Sequence, residues 1–70
     1  MPSIESPLSG RVLAILVKPG DPVTPSMSLM LIESMKMEIP LEAELSGIVS
    51  QVLVAEGDEV REGQAVITLG

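Results

Sequence analysis

Two stretches of the chain decide its fold: residues 6–23, SPLSGRVLAILVKPGDPV, and residues 43–60, AELSGIVSQVLVAEGDEV. They align without a gap at an offset of 37, and the alignment extends to residues 6–33 and 43–70. The identical pairs include Leu8/Leu45, Ser9/Ser46, Gly10/Gly47, Val12/Val49, Val17/Val54, Gly20/Gly57, Asp21/Asp58 and Val23/Val60. Any two β-strands share Val and Gly, but a Gly-Asp turn at the same place in both stretches favours an internal duplication.

Each copy is predicted to form a strand, a turn, a short strand, a second turn and a third strand. The first strands are predicted at residues 11–17 and 48–55, and the third strands at residues 28–33 and 65–69. Six Pro and six Gly are spread along the chain, and they leave no window for a helix of ordinary length. The sequence therefore predicts an all-β fold.

Both first strands break the alternation of apolar residues at the same place. The apolar spacing is three and then two, at Val12, Ile15 and Val17 and at Val49, Val52 and Val54. We expect a β-bulge or bend there in each half. Residues 18–21, Lys-Pro-Gly-Asp, have the type II turn signature, and residues 55–58 keep its Gly. Two such copies are expected to be related by an approximate two-fold axis and to pack face to face.

Composition excludes several classes of function. The 70 residues include no Cys, His, Phe, Tyr or Trp, which argues against disulfides, Cys/His zinc sites and aromatic stacking on single-stranded nucleic acid. Ten acidic and four basic residues give a net charge of −6, which opposes binding to nucleic acids and to anionic membrane surfaces. An enzyme of this composition would need a carboxylate pair, a lysine or a serine as its reactive group.

No segment of the sequence has the pattern of a targeting or membrane-spanning segment. The longest apolar run, residues 12–17, lies between Arg11 and Lys18, and six residues are too few for a signal-peptide core or a membrane span. Together with the lack of Cys, this predicts a cytoplasmic protein, or one of the mitochondrial matrix in a eukaryote.

The repeat does not explain residues 34–42, which contain Met35-Lys36-Met37. Residues 28–33 and 37–42 are predicted strands on either side, so Lys36 is expected at the exposed tip of a hairpin. Strand alternation would place Met35 and Met37 on one face and Lys36 on the other, unless a turn interrupts it. Met27 and Met30 are expected in the core, whereas methionines at an exposed tip suit a surface that partners contact.

Three interpretations of Lys36 are open at this point. It is a solvated turn lysine that balances nearby carboxylates, a catalytic lysine, or a covalent attachment point for a group added by another enzyme. A catalytic lysine needs burial or a cationic neighbour, and the nearby Glu33, Glu38, Glu42 and Glu44 would act in the opposite sense. Attachment needs only exposure, a defined backbone shape and distinctive flanking residues.

Glu33-Ser34-Met35-Lys36-Met37 resembles the attachment motif of biotinyl domains, commonly Ala-Met-Lys-Met, and the duplicated frame resembles the whole biotinyl/lipoyl domain. The resemblance implies a flattened β-barrel or sandwich of two four-stranded antiparallel sheets with an internal pseudo-two-fold axis, also called a barrel-sandwich hybrid. It covers residues 1–70 as a single domain, with the repeat halves at 6–33 and 43–70 and the attachment hairpin at 34–42.

The resemblance also implies a function. Lys36 would carry biotin, and Met35 and Met37 would be recognised by a biotin protein ligase, with Glu33 and Ser34 as hairpin context. A biotin carboxylase and a carboxyltransferase would then use the tethered biotin in turn, so the domain itself would be a non-catalytic carrier, monomeric in isolation.

Two departures from the family pattern leave alternatives open. Ser34 stands where the commonest biotinyl motif has Ala, and Glu33-Ser34 also resembles lipoyl domains, so lipoate is a second candidate cofactor. An unmodified structural or adaptor domain is the third candidate. The gapless repeat leaves no room for the inserted thumb of multisubunit acetyl-CoA carboxylase carriers, so we expect a free-standing attachment protein or a domain of a longer carboxylase.

Overall fold

The computed structural model describes residues 2–70, which form eight β-strands. They are β1 (Ser3–Glu5), β2 (Gly10–Ile15), β3 (Pro22–Val23), β4 (Ser28–Ser34), β5 (Met37–Glu42), β6 (Gly47–Val52), β7 (Glu59–Val60) and β8 (Ala65–Leu69). All regular structure in this range is strand, so the all-β prediction is confirmed. Among these residues there is no helix that could cross a membrane.

The strands form two four-stranded antiparallel sheets. Sheet I has the order β1-β8-β6-β3, and sheet II has the order β5-β4-β2-β7. An offset of 37 residues converts each strand of sheet I into its counterpart in sheet II, with β1 matching the end of β5. The register matches too, since Ile4 pairs with Ile67 and Leu41 pairs with Met30. The predicted pseudo-two-fold sandwich is therefore confirmed, and the internal symmetry also includes β1, which sequence patterning missed.

Both predicted bulges are present at equivalent positions. The register of β2 against β4 shifts between Val12 and Ala14, and that of β6 against β8 shifts between Val49 and Gln51. The extra residue in each strand explains why apolar side chains three positions apart point to the same side.

The predicted first strands were too long at their carboxyl ends, because β2 ends at Ile15 and β6 at Val52. Beyond these points each chain segment leaves its own sheet and bonds to the other: Gly20 N donates to the Val49 carbonyl, and Gly57 N donates to the Val12 carbonyl, each at 2.8 Å. Apolar residues continue through this crossing because it covers the core, so hydrophobicity alone does not mark the strand end.

The turns repeat as faithfully as the strands. In residues 18–21 and 55–58 the fourth N–H donates to the first carbonyl at 3.1 Å, and Gly20 and Gly57 have φ of 95° and 92°. These are type II turns, in which the third position favours Gly. The side chains of Asp21 and Asp58 accept hydrogen bonds from the first N–H of each turn, at 3.0 and 2.9 Å, which explains the repeated Gly-Asp.

One aliphatic core lies between the sheets. Its buried members are Ile4, Val12, Val17, Val23, Leu29, Met30, Ile32, Leu41, Ala43, Val49, Val60, Val66, Ile67 and Leu69. Met30 lies in this core and Met27 packs against it, as expected for both. Residues from both repeats contribute, so neither half can bury its apolar face without the other.

Candidate functional site

The β4–β5 hairpin ends in a two-residue turn formed by Met35 and Lys36. Its last strand pairs are Glu33 with Glu38 and Ser34 with Met37. Ser34 is half-buried at the last position of β4, and Met37 is the first residue of β5. Lys36 therefore lies at the tip, as predicted.

Both turn residues have a left-handed backbone, with φ of 53° at Met35 and 65° at Lys36. Positive φ at both central positions defines a type I′ turn, which matches the twist of the flanking strands and usually contains Asn-Gly. A non-glycine residue in this region costs on the order of 1–3 kcal/mol, and such strain clusters at functional sites. The turn interrupts the alternation of side chains along the strand. The placement of Lys36 on the face opposite Met35 and Met37, which was expected only for an uninterrupted strand, therefore does not hold.

The three side chains of the tip are solvent-exposed. Met35 is 92% exposed and Met37 is 61% exposed, and Lys36 is exposed between them. Methionines are usually core residues, and exposing two of them beside a lysine gains nothing for stability. Their exposure instead presents two flexible apolar side chains to a partner.

A row of charged side chains crosses sheet II next to the tip. In register across the sheet it contains Glu38, Glu33, Arg11 and Glu59, all exposed. We call these four residues the acidic row, since they carry three carboxylates and one guanidinium. Glu33 and Glu38 face each other across the hairpin, which is an unfavourable like-charge pair.

Of the four glutamates that are near Lys36 in the sequence, only Glu33 and Glu38 lie next to the hairpin tip. Glu42 pairs with Ser28 at the far end of β5, roughly 17 Å of strand from Met37, and Glu44 lies beyond β5. Arg11 and Glu59 were not singled out from the sequence, because β2 and β7 are distant from the hairpin in the chain. Only strand pairing brings Arg11 beside Glu33 and Glu59 beside Arg11.

The described residues measure 31 × 19 × 18 Å, and the β4–β5 hairpin tip marks one end of the strands of sheet II. Arg11 pairs with Glu33 at the hairpin end, and Glu62 N donates to Ser9 Oγ at 3.2 Å, which places the start of β8 at the same end. Strand β8 therefore runs away from the hairpin. Its last residue, Leu69, donates its N–H to the Pro2 carbonyl at the opposite end.

The hairpin tip presents a solvent-exposed primary amine, that of Lys36. Across residues 2–70 no group of three or more His, Cys, Asp or Glu side chains is placed to hold a metal ion. An exposed primary amine on a short turn, with side chains on both sides that point into solvent, fits a cofactor joined through an amide bond.

Comparisons with known proteins agree with this geometry. A family described as "Biotin-requiring enzyme", the biotin/lipoyl family, matches residues 1–69. The Biotin/lipoyl attachment protein of Bacillus subtilis is 42% identical over 62 residues, covering 89% of this chain and 85% of that protein. The Biotin carboxyl carrier protein of Streptococcus mutans is 37% identical over 67 residues, covering 96% of this chain and 52% of that protein.

Larger proteins contain the same domain. The crystal structure of the Kluyveromyces lactis urea carboxylase superimposes with a TM-score of 0.90 at 30% identity, covering 99% of this chain and 6% of that chain. A dihydrolipoyllysine-residue acetyltransferase component of the pyruvate dehydrogenase complex from Pseudomonas aeruginosa is 35% identical over 60 residues, covering 86% of this chain and 11% of that protein. The chain thus spans most of some relatives and one small part of others.

This duplicated β-sandwich displays a lysine on an exposed hairpin, and its similarity to biotin/lipoyl and carrier proteins shows that it is a non-catalytic carrier domain. The chain belongs to the biotin/lipoyl attachment family.

Proposed function

We propose that this chain is a biotin carrier of a biotin-dependent carboxylase and that Lys36 is the residue to which biotin is attached. The observation that carries the proposal is the exposed type I′ turn, in which Lys36 lies between two solvent-exposed methionines. Similarity to a biotin carboxyl carrier protein and to a urea carboxylase supports biotin as the cofactor.

Attachment requires one acyl transfer at Lys36. A biotin protein ligase activates the biotin carboxyl group as an adenylate, using ATP and releasing pyrophosphate. The neutral Nζ amine attacks the activated carboxyl carbon, an amide bond forms, AMP leaves and the amine proton passes to a base or to solvent. In this step Met35 and Met37 contact the ligase, and Glu33 and Ser34 hold the hairpin that presents the amine.

After attachment, the role of the chain is to hold the biotin where two partner enzymes can reach it. The bound biotin supplies a ring nitrogen that carries a carboxyl group from a biotin carboxylase to a carboxyltransferase. The hairpin keeps this group at one end of the molecule, where tethering raises its effective concentration at both partners. We place the protein in the cytoplasm, or in the mitochondrial matrix of a eukaryote.

Lipoate is a second candidate because Glu33-Ser34 resembles the lipoyl motif and because a lipoate-bearing acetyltransferase component is among the relatives. In that case Lys36 would carry lipoate in a dehydrogenase-type complex. Met35 and Met37 stand where lipoyl domains have Asp and Ala, and this favours biotin.

The test is intact-mass spectrometry of the chain after incubation with purified biotin protein ligase, biotin and ATP, and separately with a lipoate ligase, lipoate and ATP. We expect one biotin per wild-type chain and none on Lys36→Arg. The matched control is Lys18→Arg, because Lys18 is the other lysine of the chain and also lies next to a turn. It should accept biotin at the wild-type rate.

Each contrary result has a defined meaning. Biotin on Lys36→Arg would show that the attachment site is elsewhere. Lipoate in place of biotin on the wild type would support the second candidate. A chain that accepts neither group would be a structural or adaptor domain.

A further inference from the structure

The outer faces of the two sheets differ although the sheets are related by the internal duplication. Four apolar positions on sheet II correspond to polar positions on sheet I: Leu13 to Ser50, Ala14 to Gln51, Leu31 to Thr68 and Pro40 to Ser3. The equivalent core positions are apolar in both sheets. Folding therefore does not require the difference, since sheet I forms the same structure with polar residues there.

The register places these apolar residues together on the outside of sheet II. Ala14, Leu31 and Pro40 form one row across β2, β4 and β5, and Leu13 is the bulge residue beside it. Leu13 and Leu31 are half-buried and Pro40 is exposed. The partly buried apolar side chains that pack against the core are Leu8, Ile15, Met27, Val52 and Val54. Leu13 and Leu31 are not among them. We call Leu13, Ala14, Leu31 and Pro40 the outer apolar face.

The acidic row borders the outer apolar face on the side of the hairpin. Leu31 and Glu33 project from the same side of β4, and Pro40 and Glu38 from the same side of β5. From Leu31 to Ser34, where the turn begins, is roughly 10 Å of strand. An apolar centre with a charged border next to the hairpin has the composition of a protein–protein interface.

We propose that the outer apolar face is the docking surface for the biotin protein ligase, which approaches it with an apolar patch bordered by basic side chains. This inference rests on the proposed function of Lys36. The ligase must bring its active site to Nζ itself, whereas enzymes that act on the tethered biotin are separated from the chain by the length of the cofactor. A standard interface covers about 800 Å² per partner, and a patch of that size centred on the turn includes this face.

Charge argues against a second copy of the chain as the occupant. The net charge is −6, so the association of two copies of the chain is opposed by like-charge repulsion. A partner with basic side chains is instead attracted by the row, which raises the rate of encounter and makes it sensitive to salt.

The test compares steady-state biotinylation of wild type and of Leu13→Ser combined with Leu31→Thr, which introduces the residues of sheet I. We expect KM for the chain to rise roughly five- to ten-fold with kcat within about two-fold, because only docking is weakened. Raising NaCl should raise KM of the wild type. Circular dichroism melts verify folding, and Pro40→Ser provides a second variant at the exposed edge of the face.

The matched control is Ile48→Ser, which removes an apolar side chain that is 47% exposed on sheet I. The Ile48 carbonyl accepts a hydrogen bond from the Gly70 N–H at the end of the molecule opposite the hairpin. The KM of Ile48→Ser should therefore equal that of the wild type.

An unchanged KM in the double variant and in Pro40→Ser, or an equal rise of KM in Ile48→Ser, overturns the docking surface while Lys36 remains the attachment site. A wild-type dimer that the double variant dissociates overturns it in favour of a second copy. A wild type that takes no biotin overturns the proposed function as well.

Discussion

Among residues 2–70, three residues other than glycine have a positive backbone φ: Ser26, Met35 and Lys36. Ser26 occupies the third position of residues 24–27, where the equivalent turn of the second repeat has Gly63 with φ of 85°. The chain thus tolerates one strained residue in an ordinary turn, and places two in succession at the hairpin tip. The strain at the tip has a functional explanation, because Asn-Gly would form the turn better but would remove the lysine.

Met35→Asn is therefore expected to stabilise the fold and to slow biotinylation. Asn adopts the left-handed region more readily than Met, so the free energy of unfolding should rise by about 0.5–1 kcal/mol. Loss of the exposed thioether should lower kcat/KM with a biotin protein ligase. Urea denaturation and ligase kinetics measure the two effects.

Ser26→Gly is the control for this variant, because it relieves similar strain in a turn outside the hairpin. It should raise stability by about 0.5 kcal/mol, with part of the gain offset by the flexibility of glycine in the unfolded chain, and it should leave biotinylation unchanged. If Met35→Asn raised stability without slowing biotinylation, the methionine would have no role in ligase recognition.

At the level of elements, the start of β2 packs unusually closely against the end of β4. A Cβ atom on Gly10 would overlap the carbonyl oxygen of Glu33 and would lie 2.8 Å from Ile32 Cγ2. At the equivalent Gly47 the nearest atom is Leu69 Cδ1 at 3.3 Å, the end of a flexible side chain. Gly10 thus lets the strands that support the hairpin lie close together.

Gly10→Ala should destabilise the domain by about 2–3 kcal/mol, because relief of the overlap requires backbone movement. Gly47→Ala should cost under about 1 kcal/mol, because Leu69 needs to shift by only a few tenths of an ångström. Thermal and urea denaturation of the two variants provide the comparison. Equal losses would mean that the close approach of β2 to β4 contributes nothing particular to stability.

The elements also show which structural details a sequence can predict. The bulge in β2 was predictable because the irregular spacing of Val12, Ile15 and Val17 is visible within a few consecutive residues of the sequence. The bulge in β6 was predictable for the same reason. The type I′ turn was not, because Met35-Lys36 contains neither Gly nor Asn and its backbone is imposed by the pairing of β4 with β5. The ends of β2 and β6 were missed for a similar reason, since the following residues remain apolar while crossing to the other sheet.

For the whole molecule, the duplication builds a single core from two halves. Met30 and Ile67 are equivalent residues at its centre, both fully buried, one in each sheet. A chain of 70 residues has a total stability of about 4–10 kcal/mol, so the loss of either side chain is a large fraction of the total.

Met30→Ala and Ile67→Ala should each lower the free energy of unfolding by about 2–5 kcal/mol. Leu53→Ala, at a side chain that is 46% exposed, should change it by less than about 1 kcal/mol. Urea unfolding followed by circular dichroism measures all three. A large loss in only one of the two core variants would indicate that the sheets unfold separately.

The sequence by itself determined the duplication, the all-β class and the placement of Lys36 at a hairpin tip, because these depend on local patterns of apolar residues, Gly and Pro. Only the tertiary structure decided the backbone of the Met35-Lys36 turn and the neighbours of Glu33. It also decided that Leu13, Ala14, Leu31 and Pro40 share the outer face of sheet II. The physical reason is that strand pairing acts between residues distant in the chain: Arg11 lies beside Glu33 because β2 pairs with β4, and Glu59 lies beside Arg11 because β7 pairs with β2.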